Sequence, residues 1–166
     1  TVPRRLAGPA QTREIDVSDK SVFTDEEWRA VSEAPLLISM AMSEVGPHGP
    51  ISMIKESAAS AKAIAMPPDH GSANGLIAEI VEAAKGKQAR HDAKEHNHQA
   101  NTIPAMVDIL LADLAPAAKA LDKLPADEAA GVKAWFVDIA KAIAEAAKDT
   151  DDAEQQVIDR IAATFA

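Results

Sequence analysis

The sequence predicts an all-α protein: a compact single-domain bundle of six or seven helices with an alanine-rich core. Three observations predict it. Alanine supplies 36 of the 166 residues, and alanine is the best helix former. Runs of β-branched and aromatic residues, the mark of strands, are scarce, with 3 Phe, 2 Trp and no Tyr in the chain. Apolar residues recur at intervals of three and four, the period of a helix with one buried face. Side chains this small fill a core only where helix backbones approach closely.

One domain is expected at this length, and no linker is long enough to divide the chain. Residues 1–22 mix Pro, Gly, Arg and Asp and read as an irregular N-terminal arm, leaving 23–166 as the helical domain. The first firm signal is "FTDEEW" at 23–28. Thr24 is placed to cap a helix with Glu27 as its capping-box partner, and Phe23 and Trp28 make a hydrophobic staple across the start. Pro35 then either breaks this helix or begins another, "PLLISMAMSEV", where proline suits the first turn. That segment is apolar nearly all round, which predicts a central position.

After a Gly-Pro turn, Ile51, Ile54, Ala58, Ala61 and Ala65 fall on one stripe of the next helix and read as its inner face. "PPDHGSANG" (67–75) is a loop, with Asn74 as the expected cap of a helix burying Leu76, Ile77, Ile80, Val81 and Ala84. Thr102 and Pro104 open a helix with Ile103, Val107, Leu110, Leu114 and Leu121 inside, which Pro116 must interrupt because it lacks a donor. A sixth helix, with Asp127 as its cap, turns Val132, Trp135, Phe136, Ile139 and Ile143 inward. The acidic run from Asp149 caps a last helix that buries Val157, Ile158, Ile161 and Phe165.

Composition excludes several functions. With no cysteine there is no disulfide, thiolate nucleophile or cysteine-ligated metal. No apolar run reaches the length of a membrane span, and the first residues lack the apolar core of a secretory signal. A formal charge of −9 opposes phosphate backbones, so nucleic acid is not an expected partner. A soluble cytoplasmic protein is the expectation. The phosphate-binding glycine loops and the Gly-x-Ser-x-Gly nucleophile elbow are both missing.

The candidate sites are few. Residues 85–101 hold three of the five histidines among basic and amide side chains. Wound as a helix, the span brings His91, Glu95 and His98 within about 60° of one another, enough for two imidazoles and a carboxylate to hold a divalent metal. It also lacks any bulky apolar residue between Val81 and Ile103, so nothing in it can anchor a helix to a core, and the preferred reading is a solvated connection. "EHNH" supplies one Glu-x-x-His, but a di-iron bundle needs a second, which the chain does not contain. In the 67–75 loop, Asp69 and His70 form the one conceivable acid–base pair. Met40, Met42 and Met53 gather near the Gly-Pro turn, and such side chains make adaptable contact surfaces.

"FTDEEWRAVSEAPLLISMAMSEVG", the following "KES" and the closing "DDAEQQVIDRIAATF" resemble the helical hairpins of small bacterial proteins of the tellurite-resistance TerB-like family. The resemblance covers about 50 residues in two pieces. It implies an all-helical fold, a stress-associated role and an acidic metal-binding surface at the hairpin turns. That family's turns carry Asp-Gly followed by Glu. This chain has Glu44-Val45-Gly46 with Glu56, and Asp151-Asp152 with Glu154 and no glycine. The leading expectation is a non-enzymatic helical module that binds a protein partner or self-associates, with no cofactor. The alternative is a metal-binding or metal-stress protein using the His/Glu cluster or the acidic turns.

Overall fold

The computed structural model describes residues 17–47, 50–95, 100–147 and 151–166, and these are helical with no strand among them. The order is α1 (Asp25–Val45), α2 (Pro50–Ala65), α3 (Asn74–Ala84), α4 (Lys87–Glu95), α5 (Ile103–Ala112), α6 (Ala115–Leu121), α7 (Ala126–Ala146) and α8 (Asp152–Thr164). Single 3-10 turns at Lys20–Val22 and Gly71–Ala73 precede α1 and α3. Pro116 interrupts as expected: α5 stops at Ala112 and α6 starts with the proline in its first turn. Taken as one interrupted helix, α5 and α6 bring the number of helices to seven.

The architecture is a wheel around α1, which touches every other helix. Its start is built as the sequence implies. Thr24 Oγ1 accepts from Glu27 N while Glu27 Oε2 accepts from Thr24 N, and the Phe23 and Trp28 rings stack 6.0 Å apart. A cap of this kind stabilises a helix by about 1 kcal/mol. Of the two readings of Pro35, neither describes the outcome, because α1 runs straight through it. The proline costs one backbone bond, but Val31, Ala34, Leu37, Ile38, Ala41 and Met42 are buried around it, and that packing holds the helix together. Ser39 Oγ donates to the Pro35 carbonyl at 2.8 Å.

The second axis is α7, whose Val132, Trp135, Phe136, Ile139 and Ile143 are all buried as expected. Phe136 bridges Trp135 and Phe165, with ring centroids 5.3 and 5.1 Å away, which ties α8 down. The inner residues read for α3 and α8 are likewise buried. Ile103 is the exception in α5, lying 44% exposed at its first turn.

Three local expectations are corrected. Asn74 does not cap α3; it is the first helical residue, accepting from His70 N and donating to Asp69. Asp127 lies inside the first turn of α7, where it accepts from Ser72 Oγ at 2.7 Å. Residues Lys87–Glu95, read as a solvated connection, form α4, and Ala93 is the buried contact that lays it on α1. An alanine suffices there because it lets two backbones meet closely. Within residues 17–22, the described part of the N-terminal arm, Ser18 N donates to buried Glu128 and Lys20 N donates to Glu79.

The 67–75 loop reaches α7 through Gly131. A Cβ there would lie 2.5 Å from Ala73 Cβ and 3.0 Å from the His70 carbonyl oxygen. Overpacking of this order costs about 1–3 kcal/mol, against the ~1 kcal/mol that Ala gains over Gly inside a helix. Gly131→Ala is therefore expected to lower the unfolding free energy despite its better helix propensity, and urea denaturation followed by circular dichroism measures it. An increase in stability would mean that the loop is not seated on α7 as described.

Candidate functional site

The α2 helix carries the largest departure from the sequence reading. The stripe expected to face inward, Ile51, Ile54, Ala58, Ala61 and Ala65, faces outward along its whole length. Ile51 and Ile54 are each 71% exposed, with Met53 at 64% and Met66, just past the helix, at 70%. The face that packs consists instead of Glu56 and Ile64, with Ser52, Ala59, Ser60 and Ala63 half-buried beside them.

The physical reason lies in how α2 is held. Its chief neighbour is α7, where Trp135 is fully buried and donates from Nε1 to the Ala63 carbonyl at 3.2 Å. An indole can reach a helix carbonyl only when small side chains flank it. Ala59, Ser60 and Ala63 permit the approach; a stripe of isoleucines would hold the helices apart. On the other side, Ser60 and Ser39 hydroxyls meet at 2.7 Å and join α2 to α1. Because Ser39 gives its proton to Pro35, Ser60 is the donor in that bond. Glu56 is buried against Gly46, so closely that a Cβ on Gly46 would sit 2.9 Å from its Oε2.

Beside the exposed stripe runs a cleft of about 380 Å³ between α2 and α7. Ala59, Ala63, Trp135 and Ile139 supply apolar lining, and Lys62, Asp138 and Glu145 supply the charged groups. Met66 and Pro68 close one end. His70 contacts the same carboxylate from the loop, its Nε2 lying 3.4 Å from Asp138 Oδ2. This corrects the pairing of His70 with Asp69. The Asp69 carboxylate accepts from Asn74 Nδ2 and Gly71 N, which holds its pKa below the usual 3.8 and commits it to shaping the loop.

The other candidates divide. Met42 is fully buried and Met40 half-buried against the core, so only Met53 of the three methionines is available for contact. On α4, His91 Nδ1 lies 3.5 Å from Asp92 Oδ1 and 3.8 Å from Glu95 Oε1. His91, Asp92 and Glu95 are the one group of possible metal ligands among the described residues, and His98 lies outside them. Asp92 was not part of the expected set. It shares a neighbouring stripe of the helix, and it also accepts from Gln88 Nε2 at 2.6 Å.

The acidic turns are used in folding. Asp151 Oδ1 accepts from Glu154 N and Glu154 Oε2 accepts from Asp151 N, a reciprocal capping box for α8. Glu154 is 1% exposed, and burial raises its pKa above the usual 4.5, with nearby Asp151 adding to the rise. Comparison with protein-family models, with curated proteins and with solved structures returns no match, so the TerB-like resemblance rests on the residues quoted for it alone.

The Glu154 shift has a stability consequence of definite sign. A carboxyl whose pKa is raised in the folded state takes up protons on folding in the window above 4.5. Its contribution is present at lower pH and is lost as pH rises through the folded-state titration. Glu154→Gln keeps a carbonyl for the Asp151 bond and removes the titration. The stability of the native chain relative to this variant is therefore expected to decline between acidic and neutral pH, as read from urea midpoints. A difference independent of pH would remove the burial assigned to this carboxyl.

Proposed function

We propose that this chain is a helical interaction module that docks a helix of a protein against the outer face of α2 and the adjoining α2–α7 cleft, and that it works by docking rather than by catalysis. The observation that supports this reading most is the exposure of Ile51, Met53 and Ile54 on α2, a helix whose own buried positions are Glu56 and Ile64. Large contiguous apolar surface rimmed by charge is the usual mark of a contact site. The cleft adds a receptacle, with Ala59, Ala63 and Met66 among its lining residues. The stress association implied by the TerB-like resemblance belongs to the same proposal.

Photo-crosslinking from within the face tests it. A benzophenone side chain replacing Ile54 is expected to capture protein in cells, whereas the same group at exposed Gln155 on α8 gives none. No capture at Ile54, or equal capture at both positions, would remove the docking face.

A second reading, divalent-metal binding, has one observation in its favour, the His91, Asp92 and Glu95 donors, whose ligand atoms all lie within 4.8 Å of one another. All three come from a single helix, so a metal held there would keep open coordination positions. Under this reading zinc titration gives one equivalent per chain, and His91→Ala abolishes it. Identical binding by the two proteins would leave the cluster as surface charge.

A further inference from the structure

We propose that the occupant of the α2 face is a second copy of this chain, paired about a twofold axis. The inference rests on the docking reading above and specifies its partner. A twofold interface uses the same patch on both subunits, so that patch must be complementary to itself. The α2 face meets this requirement in shape and in charge.

In shape, the same surface carries both halves of a contact. Ile51, Ile54 and Met66 project from it as a ridge, each at least 70% exposed. The cleft next to Met66 is lined by Ala59, Ala63, Pro68 and Ala142 over fully buried Trp135 and Ile139, and its volume of about 380 Å³ can take apolar side chains of that size. A ridge alone, or a cleft alone, would call for a different protein. A ridge and a cleft side by side let each copy insert into the other.

In charge, Lys62 shares the cleft with Asp138 and Glu145, and Lys55 lies two helical turns before Lys62. Neither lysine, nor Glu145, is held in an ion pair with another described residue. The cleft carries one lysine and two acids, of which Asp138 already contacts His70, and Lys55 adds a second exposed lysine on α2, so the face presents both signs on a chain of net charge −9. Elsewhere, two copies of so acidic a chain repel. At this face each lysine can meet a carboxylate of the other copy. A partner of uniform charge, acidic or basic, would satisfy one sign and oppose the other.

Sedimentation velocity of the purified full chain tests the proposal, from about 1 to about 200 μM, the span of micromolar affinities. A concentration-dependent dimer is expected. Ile54→Glu, at a position exposed in the monomer, is expected to keep the helical spectrum and melting temperature at low concentration and to raise the dimer dissociation constant at least about thirtyfold.

The sharper arm uses charge reversal. Lys62→Glu places like charges opposite Glu145 and Asp138 of its copy, and Glu145→Lys places like charges opposite Lys62. Each variant alone is expected to dissociate, while an equimolar mixture re-forms dimer, because every reversed group then faces its complement. A native chain that stays monomeric throughout, or a mixture no more associated than its components, overturns self-pairing. If the chain is monomeric and Ile54 still captures a different protein in cells, self-pairing fails and docking stands. If Ile54 captures nothing, both fail.

Discussion

The middle of α1 is buried at Val31, Ala34, Leu37, Ile38, Ala41 and Met42, and the other helices are placed by covering it. A helix with so much apolar surface at its centre cannot lie open to solvent, and the seven other helices all touch it, leaving Arg29 and Ser43 among its exposed positions. This burial explains the tolerance of Pro35 in mid-helix. Breaking the helix there would expose Val31, Leu37, Ile38 and Met42 together, and that loss exceeds the cost of one missing backbone bond. It also explains Glu33, a buried carboxylate that remains within 3.4 Å of Arg29 one turn earlier. The carboxylate lies inward of Arg29, whose own side chain stays 71% exposed on the same helix.

Because α1 takes the large side chains of most elements, the outer helices differ in what they have left with which to attach. α3, α7 and α8 spend their branched and aromatic residues inward. α4 attaches by Ala93, and α2 by alanines, serines, Ile64 and a buried glutamate. Attachment by small residues is strong only at short distance, and the Trp135–Ala63 and Ser39–Ser60 bonds fix that distance for α2. The geometry that seats the helix thereby turns its isoleucines outward.

This accounts for what was legible in the sequence. Elements with one clear stripe of large apolar residues were read with their buried faces, residue by residue, in α3, α7 and α8. The capping box and staple at the start of α1 were also legible, because capping depends on local spacing alone. α2 misled because apolar residues mark two of its faces, Ile51, Ile54, Ala58, Ala61 and Ala65 on one and Ala59, Ala63 and Ile64 on the other, and only the bonds to α1 and α7 choose between them. α4 misled because one alanine stands where a bulky anchor was sought. The His70–Asp138 contact was invisible because it joins residues 68 positions apart through a loop whose seat on α7 depends on one glycine.

The inversion in α2 bears on function more directly than any single polar cluster does. In an isolated chain the Ile51, Ile54 and Met53 side chains contribute little to stability, since each keeps most of its surface in water. Full burial of such a side chain is worth about 1.5–3 kcal/mol, and the monomer leaves most of that unrealised at three neighbouring positions. Polar residues there would satisfy the fold equally well, because the bonds that hold α2 come from its other face. The carboxylates show the opposite pattern: Glu27, Glu128 and Glu154 each accept a backbone N–H that the fold requires. Folding accounts for those three carboxylates, while it does not account for the outer apolar residues of α2. A contact that covers them is the arrangement in which they acquire a physical role.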